Sequence, residues 1–580
     1  MKTTKTITKR VTITAVFIAV LVTIMFGGAL YKVVELKVSP PIALLNAIDP
    51  VISTSHTLAT RGNIIDSRGR ILAASKIGYT LFADPSLVED PEKLAFDLGE
   101  KLGISPAFIE EKIRSRPNSR YVVIEPLLNK HQVEIARALN YRPIGIQERL
   151  VREYPHGDVG GSLIGFVGTE HSGLAGFEIR YNNQLSGESG KFIRQRDSKR
   201  KTIWVSPDQY YPTNDGEDVR LSIDVVVQDI ASTRLLEAIH HCNAGGGRIV
   251  VANPSTGEIL AMVDILNPRE GWTQQPSDPN REINPRLGRN RCVTDPYEPG
   301  STFKPFVWSF ATELGLVDID EVLQTPSPSN KPYRTTFGRS IRDSHYYGPS
   351  TWEKVLVKSM NSGMAIVAER FSHEQLQHAI RQFGFGERTL VGLGGETSGI
   401  ITSPSNWNDY TQTSVSMGHE IAVTPLQMVQ GFCAFARDGT VPQLQLTPAH
   451  KDDVFVVRKA ISPTIAALTR QIMGEVMTEG TGQRSQSKMY SLFGKSGTAQ
   501  LPRADGKGYF EDRYVSSFIA GAPIDSPEIV VLCVIDDPDK SIAHYGGVVA
   551  GPVVRDVIES TLQYLGVSPS TEYLAQMSVE

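Results

Sequence analysis

Cysteine is scarce in this chain. The four in 580 residues, Cys242, Cys292, Cys433 and Cys533, are widely and irregularly spaced. Such spacing excludes a disulfide framework and a zinc site, and the four read as buried small apolar residues. Excess charge is also lacking: the net charge is −4, which gives no general pull toward nucleic acid. No internal repeat is visible. A phosphate-cradling loop around "GKS" would need a glycine where Met489 stands, and "HEQLQH" (His373 to His378) is one residue too long for a zinc-protease pair on one helix face. No metal and no cofactor are therefore expected. What remains, 40% hydrophobic and 21% charged, is ordinary globular composition in a chain long enough for two or more domains.

Long apolar runs are absent save one. Val11 to Leu30 carries no charged residue, and twenty residues at about 1.5 Å each cover the roughly 30 Å of a bilayer core. The run exceeds the apolar stretch of a signal peptide, and no clean A-x-A cleavage site follows. Lys2, Lys5, Lys9 and Arg10 precede it without an acid, so the basic end stays inside. Expected is a single-pass protein of the inner (cytoplasmic) membrane: a cytoplasmic tail over 1–10, a transmembrane helix over 11–31, and the bulk outside the cytoplasm.

Between 32 and 218, strand-like pieces ("YTLFAD", "YVVIEP") mix with helical ones ("DPEKLAFDLGEKLG", "NKHQVEIARALN"), which predicts an α+β module. The polar stretch "SPDQYYPTNDGED" marks a boundary to a second region over 219–580. There a helix should begin near Asp224, and a hairpin should turn at Asn253 to Gly257. Early and late strands are expected to share one antiparallel sheet with helices packed on it and an all-helical subdomain inserted between them.

"DPYEPGSTFKPF" places Ser301 and Lys304 three residues apart after a Pro-Gly turn. Pro305 is tolerated only near the start of a helix, so both side chains should share one face at a helix start. A partly desolvated lysine can take the proton of such a serine, and the helix N-terminus favours an oxyanion. The duller reading is a solvated Ser and Lys, and Ser-x-x-Lys also occurs at Ser198/Lys201 and Ser485/Lys488. Only the Ser301 copy is followed 58 residues later by Ser359-x-Asn361 and 194 residues later by Lys495-Ser496-Gly497. Ser359 can relay a proton, and Asn361 can bond a peptide backbone. Lys495 offers a fixed positive charge, Ser496 and Thr498 suit a carboxylate, and Gly497 lets a ligand approach a strand. Read alone, "SMN" is a helix cap and "KSG" a strand-end turn; order and spacing make them a set.

That set, S-x-x-K, S-x-N, K-S-G, together with "RGNIIDSRGRILA", "REYPHGDVGGSLIGFVG", "GLAGFEIRYNNQLSGESG", "VANPSTGEILAM", "MGHEIAVTPLQM" and "HYGGVVAGPVVRDV", resembles the class B penicillin-binding proteins, membrane-anchored peptidoglycan D,D-transpeptidases. "YTLFADPSLV" is more similar to the septal, cell-division branch than to the elongation branch. Ser162 stands where many relatives have a histidine, and a usual glycine is missing after Asp197. The resemblance implies a pedestal over 32–218 and a penicillin-binding transpeptidase domain over 219–580, with helices on both faces of its sheet. It implies Ser301 as nucleophile, Lys304 as base, Ser359 as relay and Asn361 as holder of the donor peptide. Lys495, Ser496 and Thr498 would bind the D-Ala carboxylate beside Gly497, and the N–H groups of Ser301 and Thr498 would form the oxyanion hole. Implied partners are peptidoglycan stem peptides, penicillin and other β-lactams, a polytopic membrane glycosyltransferase and other divisome proteins. An elongation enzyme, a membrane-anchored β-lactamase and a β-lactam sensor are the competing expectations. The basic cluster Lys191 to Lys201 reads as a solvated face or a partner contact.

Overall fold

A continuous N-terminal helix, Lys2–Val38, contains the expected span and overshoots it at both ends. Within it Lys9–Val38 is apolar enough to cross a membrane. The apolar run reports membrane thickness, while the helix continues through residues that tolerate helix and through the Lys32–Glu35 pair at 2.9 Å. The computed structural model describes residues 2–42, 52–139, 141–168, 170–196, 202–267, 288–449, 455–503 and 508–571.

Two compact units are present, 1–59 with 187–215 and 60–186 with 216–580; the expected pedestal contributes to both. In the first, strands Ile52–Thr57, Gly190–Arg196 and Thr202–Tyr211 form an antiparallel sheet in that order. Of the basic cluster, Lys191 lies over the Tyr211 ring at 4.7 Å; residues 197–201, with the departure after Asp197, lie outside the described residues.

The second unit opens with β1 (Ile64–Ile65), β2 (Ile71–Ala83), α1 (Pro91–Leu102), α2 (Pro106–Ser115), β3 (Val122–Leu128), α3 (Lys130–Leu139), β4 (Ile144–Glu153) and β5 (Val219–Arg220). The long β2 pairs with β1, β3 and β4, and β5 runs parallel to β1. Asp90 caps α1 through its side chain and Gly103 ends it in the left-handed region, as an N-cap Asp and a C′ Gly should. Three sequence motifs meet in one buried ion network. Arg61 and Arg152 each reach Glu178 at 2.7 Å, and Arg61 also donates to Asn182 Oδ1 at 2.9 Å. Glu178 is fully buried, and breaking such a pair costs about 3–5 kcal/mol because a charge is left without its partner. That penalty fixes the geometry of the segment. Ser162 Oγ accepts from Asn290 Nδ2 at 3.3 Å, which ties this segment to the stretch that leads into Ser301.

Asp224 caps α4 (Val225–His241) by accepting from Val226 N, as its sequence position predicts. The same carboxylate receives Arg68 at 3.0 Å and Arg70 at 2.5 Å. The expected hairpin is β6 (Gly246–Ala252) and β7 (Ile259–Leu266). After it come α5 (Lys304–Glu313), the small ladder β8 (Tyr333–Arg334) with β9 (Ser340–Ile341), α6 (Trp352–Val357), α7 (Asn361–Ala368), α8 (Asp409–Ser416), α9 (Pro425–Ala436) and α10 (Pro463–Thr478). The chain closes with β10 (Phe493–Pro502), β11 (Tyr509–Ala522), β12 (Ile529–Asp536) and α11 (Gly551–Leu565). One antiparallel sheet results, ordered β7-β6-β12-β11-β10. Central β12 is buried along its whole length. Its alternate residues serve two cores: Val531, Cys533 and Ile535 pack with α4 and α11, while Val530, Leu532 and Val534 join the cluster around α5, α7 and α9. Period-two side-chain alternation thus makes a continuous apolar run the signature of a strand covered on both faces. All four cysteines are free and buried, as expected.

Candidate active site

Ser301 lies in a single tight turn, Gly300–Phe303, that leads directly into α5 at Lys304, with Pro305 in the first turn. Gly300 opens this turn at φ +55 and donates to the Gly418 carbonyl at 3.0 Å. A Cβ on Gly418 would meet the Gly300 carbonyl oxygen at 2.0 Å, so the "MGHE" glycine exists to let two backbones touch. Edge strand β10 flanks the turn, and a Cβ on Gly497 would meet Pro299 O at 2.6 Å and the Thr302 methyl at 2.9 Å. Gly497 was expected to let a ligand approach; in the structure it also gives room to the turn that carries Ser301.

Lys304 is fully buried. Its amine donates to Ser359 O at 2.7 Å and to Asn361 Oδ1 at 2.7 Å, and lies 3.3 Å from Ser359 Oγ. Burial pulls its pKa down to about 7, and Asp343 works in the opposite direction. Ser359, at φ +58, precedes α7, which Asn361 begins. This left-handed backbone is unusual for a non-glycine residue, and it points the carbonyl and hydroxyl of one residue at the same amine. Lys495 Nζ reaches Ser359 Oγ from the other side at 2.8 Å and its neighbour's carbonyl, Ser496 O, at 3.2 Å.

Sequence reasoning gave Lys495 a fixed positive charge. Its ammonium is fully buried instead, and burial first, then the charge of Lys304, lowers its pKa well below that of an ordinary lysine. The two amines sit on one hydroxyl, so a second proton there is disfavoured. Asn361 donates from Nδ2 to Arg342 O at 2.9 Å, which directs its oxygen toward Lys304. Ser496 Oγ bonds to Thr481 Oγ1 at 2.7 Å. Thr498 Oγ1 accepts from Gly546 N at 2.9 Å, leaving its own O–H to donate. Ser301, Lys304, Ser359, Asn361, Lys495, Ser496, Gly497 and Thr498 thus come from three separate stretches of chain around one edge of the sheet. Sequence reading missed Asp343, which lies in none of the motifs. Among the described residues no cluster of side chains suited to a metal ion occurs.

A family model of the penicillin binding protein transpeptidase domain matches residues 247–559, and one of the penicillin-binding protein dimerisation domain matches 56–221. Stage V sporulation protein D of Bacillus subtilis is 31% identical over 525 residues, covering 88% of this chain and 79% of that protein. The probable peptidoglycan D,D-transpeptidase PenA of Neisseria meningitidis serogroup A is 30% identical over 566 residues, covering 96% and 93%. The peptidoglycan D,D-transpeptidase FtsI of Escherichia coli K12 is 29% identical over 519 residues, covering 88% and 84%. In fold, the chain is similar to a peptidoglycan synthetase of Bifidobacterium adolescentis, with a TM-score of 0.65 at 24% identity over 90% of this chain and 98% of that one.

Proposed function

This chain belongs to the class B penicillin-binding proteins, and on that premise we propose how its residues divide the work of a serine D,D-transpeptidase that cross-links peptidoglycan stem peptides. One observation carries the assignment. A buried lysine one turn after Ser301 has its amine on Asn361 and Ser359, and Ser359 continues the chain of contacts to Lys495.

Two carbonyl-type oxygens at 2.7 Å, Ser359 O and Asn361 Oδ1, match the two hydrogens of a neutral amine and leave its lone pair to accept a proton. Lys304 takes the Ser301 hydroxyl proton as Oγ attacks the carbonyl of the penultimate D-Ala. The Oγ–C bond forms, and the oxyanion is received by the backbone N–H groups of Ser301 and Thr498. As the C–N bond breaks, the proton passes from Lys304 through Ser359 to the amine of the departing D-Ala. The amine of a second stem peptide then attacks the ester, its proton returns through the same groups, and Ser301 is released.

β10 is an edge strand, so an extended stem peptide can add to it as a further strand. Its terminal carboxylate then meets the hydroxyls of Ser496 and Thr498 and draws a proton onto Lys495, whose charge becomes favourable only with that anion beside it. β-Lactams, as mimics of D-Ala-D-Ala, acylate the same serine. In the presence of a lipid-linked pentapeptide precursor and a separate glycosyltransferase, the protein is expected to release D-Ala and form penicillin-sensitive cross-linked dimers. Rapid penicillin hydrolysis without dimers would favour a β-lactamase instead.

Among the described residues one helix is apolar enough to cross a membrane, which is consistent with a membrane anchor. We place residues 1–10 in the cytoplasm, the span over 11–31, the pedestal over 32–218 and the catalytic domain over 219–580, outside the cytoplasm. Septal synthesis, with a polytopic glycosyltransferase and other divisome proteins as partners, is the reading favoured by "YTLFADPSLV" and by the likeness to FtsI. A fluorescent protein that matures outside the cytoplasm, fused after Glu580, is expected to light the division septum. A dark fusion would overturn the orientation, and side-wall signal would favour the elongation branch.

A further inference from the structure

Asp343 lies just beyond β9 and is 9% exposed. Its carboxylate accepts from Ser362 N at 2.9 Å and from Ser362 Oγ. One residue earlier, Arg342 O accepts from Asn361 Nδ2 at 2.9 Å. Two consecutive residues therefore hold two consecutive residues at the start of α7. The effect on Asn361 is directional: with Nδ2 committed to Arg342, Oδ1 is left facing Lys304. Bonded to Ser362 N, this carboxylate also lies against the positive end of α7.

The segment carrying Asp343 is pinned at its other end. Arg339, the residue before β9, donates to Tyr410 O at 2.7 Å, Thr413 Oγ1 at 2.8 Å and Ser414 Oγ at 2.7 Å on α8. Asp343 thus reaches α7 from a short ladder held to two helices rather than from a slack loop.

We propose that Asp343 is a positioning residue of acylation, holding the start of α7 so that Asn361 keeps its oxygen on Lys304 and setting a negative charge beside that amine. This rests on Lys304 being the base. The charged groups facing Lys304 are Lys495 from β10 and Asp343 from the segment after β9, while Ser359 and Asn361 contribute neutral acceptors. Lys495 opposes a proton on Lys304, and Asp343 favours one. The carboxylate therefore counteracts both burial and the second lysine, keeping the base strong enough to take a hydroxyl proton near neutral pH.

The test is the pH profile of penicillin acylation by the full-length protein in detergent. Asp343→Asn preserves an oxygen for Ser362 N and removes the charge, so the acid-side midpoint is expected to move to lower pH by about one unit. Ser362→Ala keeps the charge and loses one hydrogen bond; it is expected to slow acylation about fivefold with the midpoint in place. Asp343→Glu should restore the midpoint toward wild type. A midpoint that stays put in Asp343→Asn overturns the proposal, and Asp343→Ser, also neutral, gives the same reading should the Asn variant misfold. Loss of acylation in Lys304→Ala with an unmoved midpoint in Asp343→Asn sinks this proposal alone. Acylation that survives Lys304→Ala sinks the base assignment beneath it.

Discussion

Ser301→Ala is expected to lower covalent labelling by fluorescent penicillin by at least about 10³-fold, to abolish cross-linking, and to leave the melting temperature within about 2 °C of wild type. The first two follow because no substitute nucleophile has the same surroundings. Ser485 is buried while Lys488, its partner by spacing, is exposed, so that pair shares no pocket. Ser198 and Lys201 lie outside the described residues, and neither the S-x-N nor the K-S-G piece follows them at matching distance. The third follows because the tight turn is held by backbone contacts, Gly300 to Gly418 and the close approach of Pro299 to Gly497, none of which involves the serine hydroxyl. Intact-mass measurement gives the decisive readout: wild type should carry one penicilloyl group that persists, and Ser301→Ala none. Labelling at wild-type level in the variant would move the nucleophile elsewhere, and a wild-type adduct that turns over within seconds would indicate a β-lactamase.

Local chemistry made much of this site legible before any fold was known. Pro299-Gly300 before Ser301 and Pro305 after Lys304 define a turn and a helix start from backbone constraints alone, and the structure has both. "GGRIVVA" and "IVVLCVID" were legible as strands of one antiparallel sheet, and the structure has both in it. Early and late strands were expected to share one sheet, and β6 does pair with β12; the three-stranded sheet of the first unit was not legible. Ile52–Thr57 pairs with Gly190–Arg196, and nothing in either sequence names the other. Asp343 was hidden for a similar reason: its partner Ser362 is neighbour to a motif residue rather than part of the motif, and an Asp in a loop-rich stretch is locally indistinguishable from a turn residue. Burial escaped as well. "FGKSG" shows a lysine on a strand but not that its amine ends in the same dry pocket as Lys304, and that placement changes the expected charge of Lys495.

The charge of the other lysine is the most direct test of the mechanism. Lys304→Ala is expected to reduce acylation by at least about 10²-fold, the loss typical of removing a general base. The remaining rate should lose its dependence on pH near neutrality. In wild type, burial lowers the Lys304 pKa to about 7, so the neutral amine predominates above that pH and is lost as pH falls. Acylation should therefore be half-maximal near pH 7 and fall about tenfold per unit well below it. A midpoint near 10 would mean that the amine keeps ordinary lysine basicity and that burial does not tune it. Lys304→Arg separates charge from proton transfer. A guanidinium keeps the cation but does not give up its proton at these pH values, so the Arg variant should be as slow as Ala if Lys304 acts as base. It should retain most activity if the lysine serves only as a positive charge beside Ser301, and in that case the proton of the attacking hydroxyl must leave by another group.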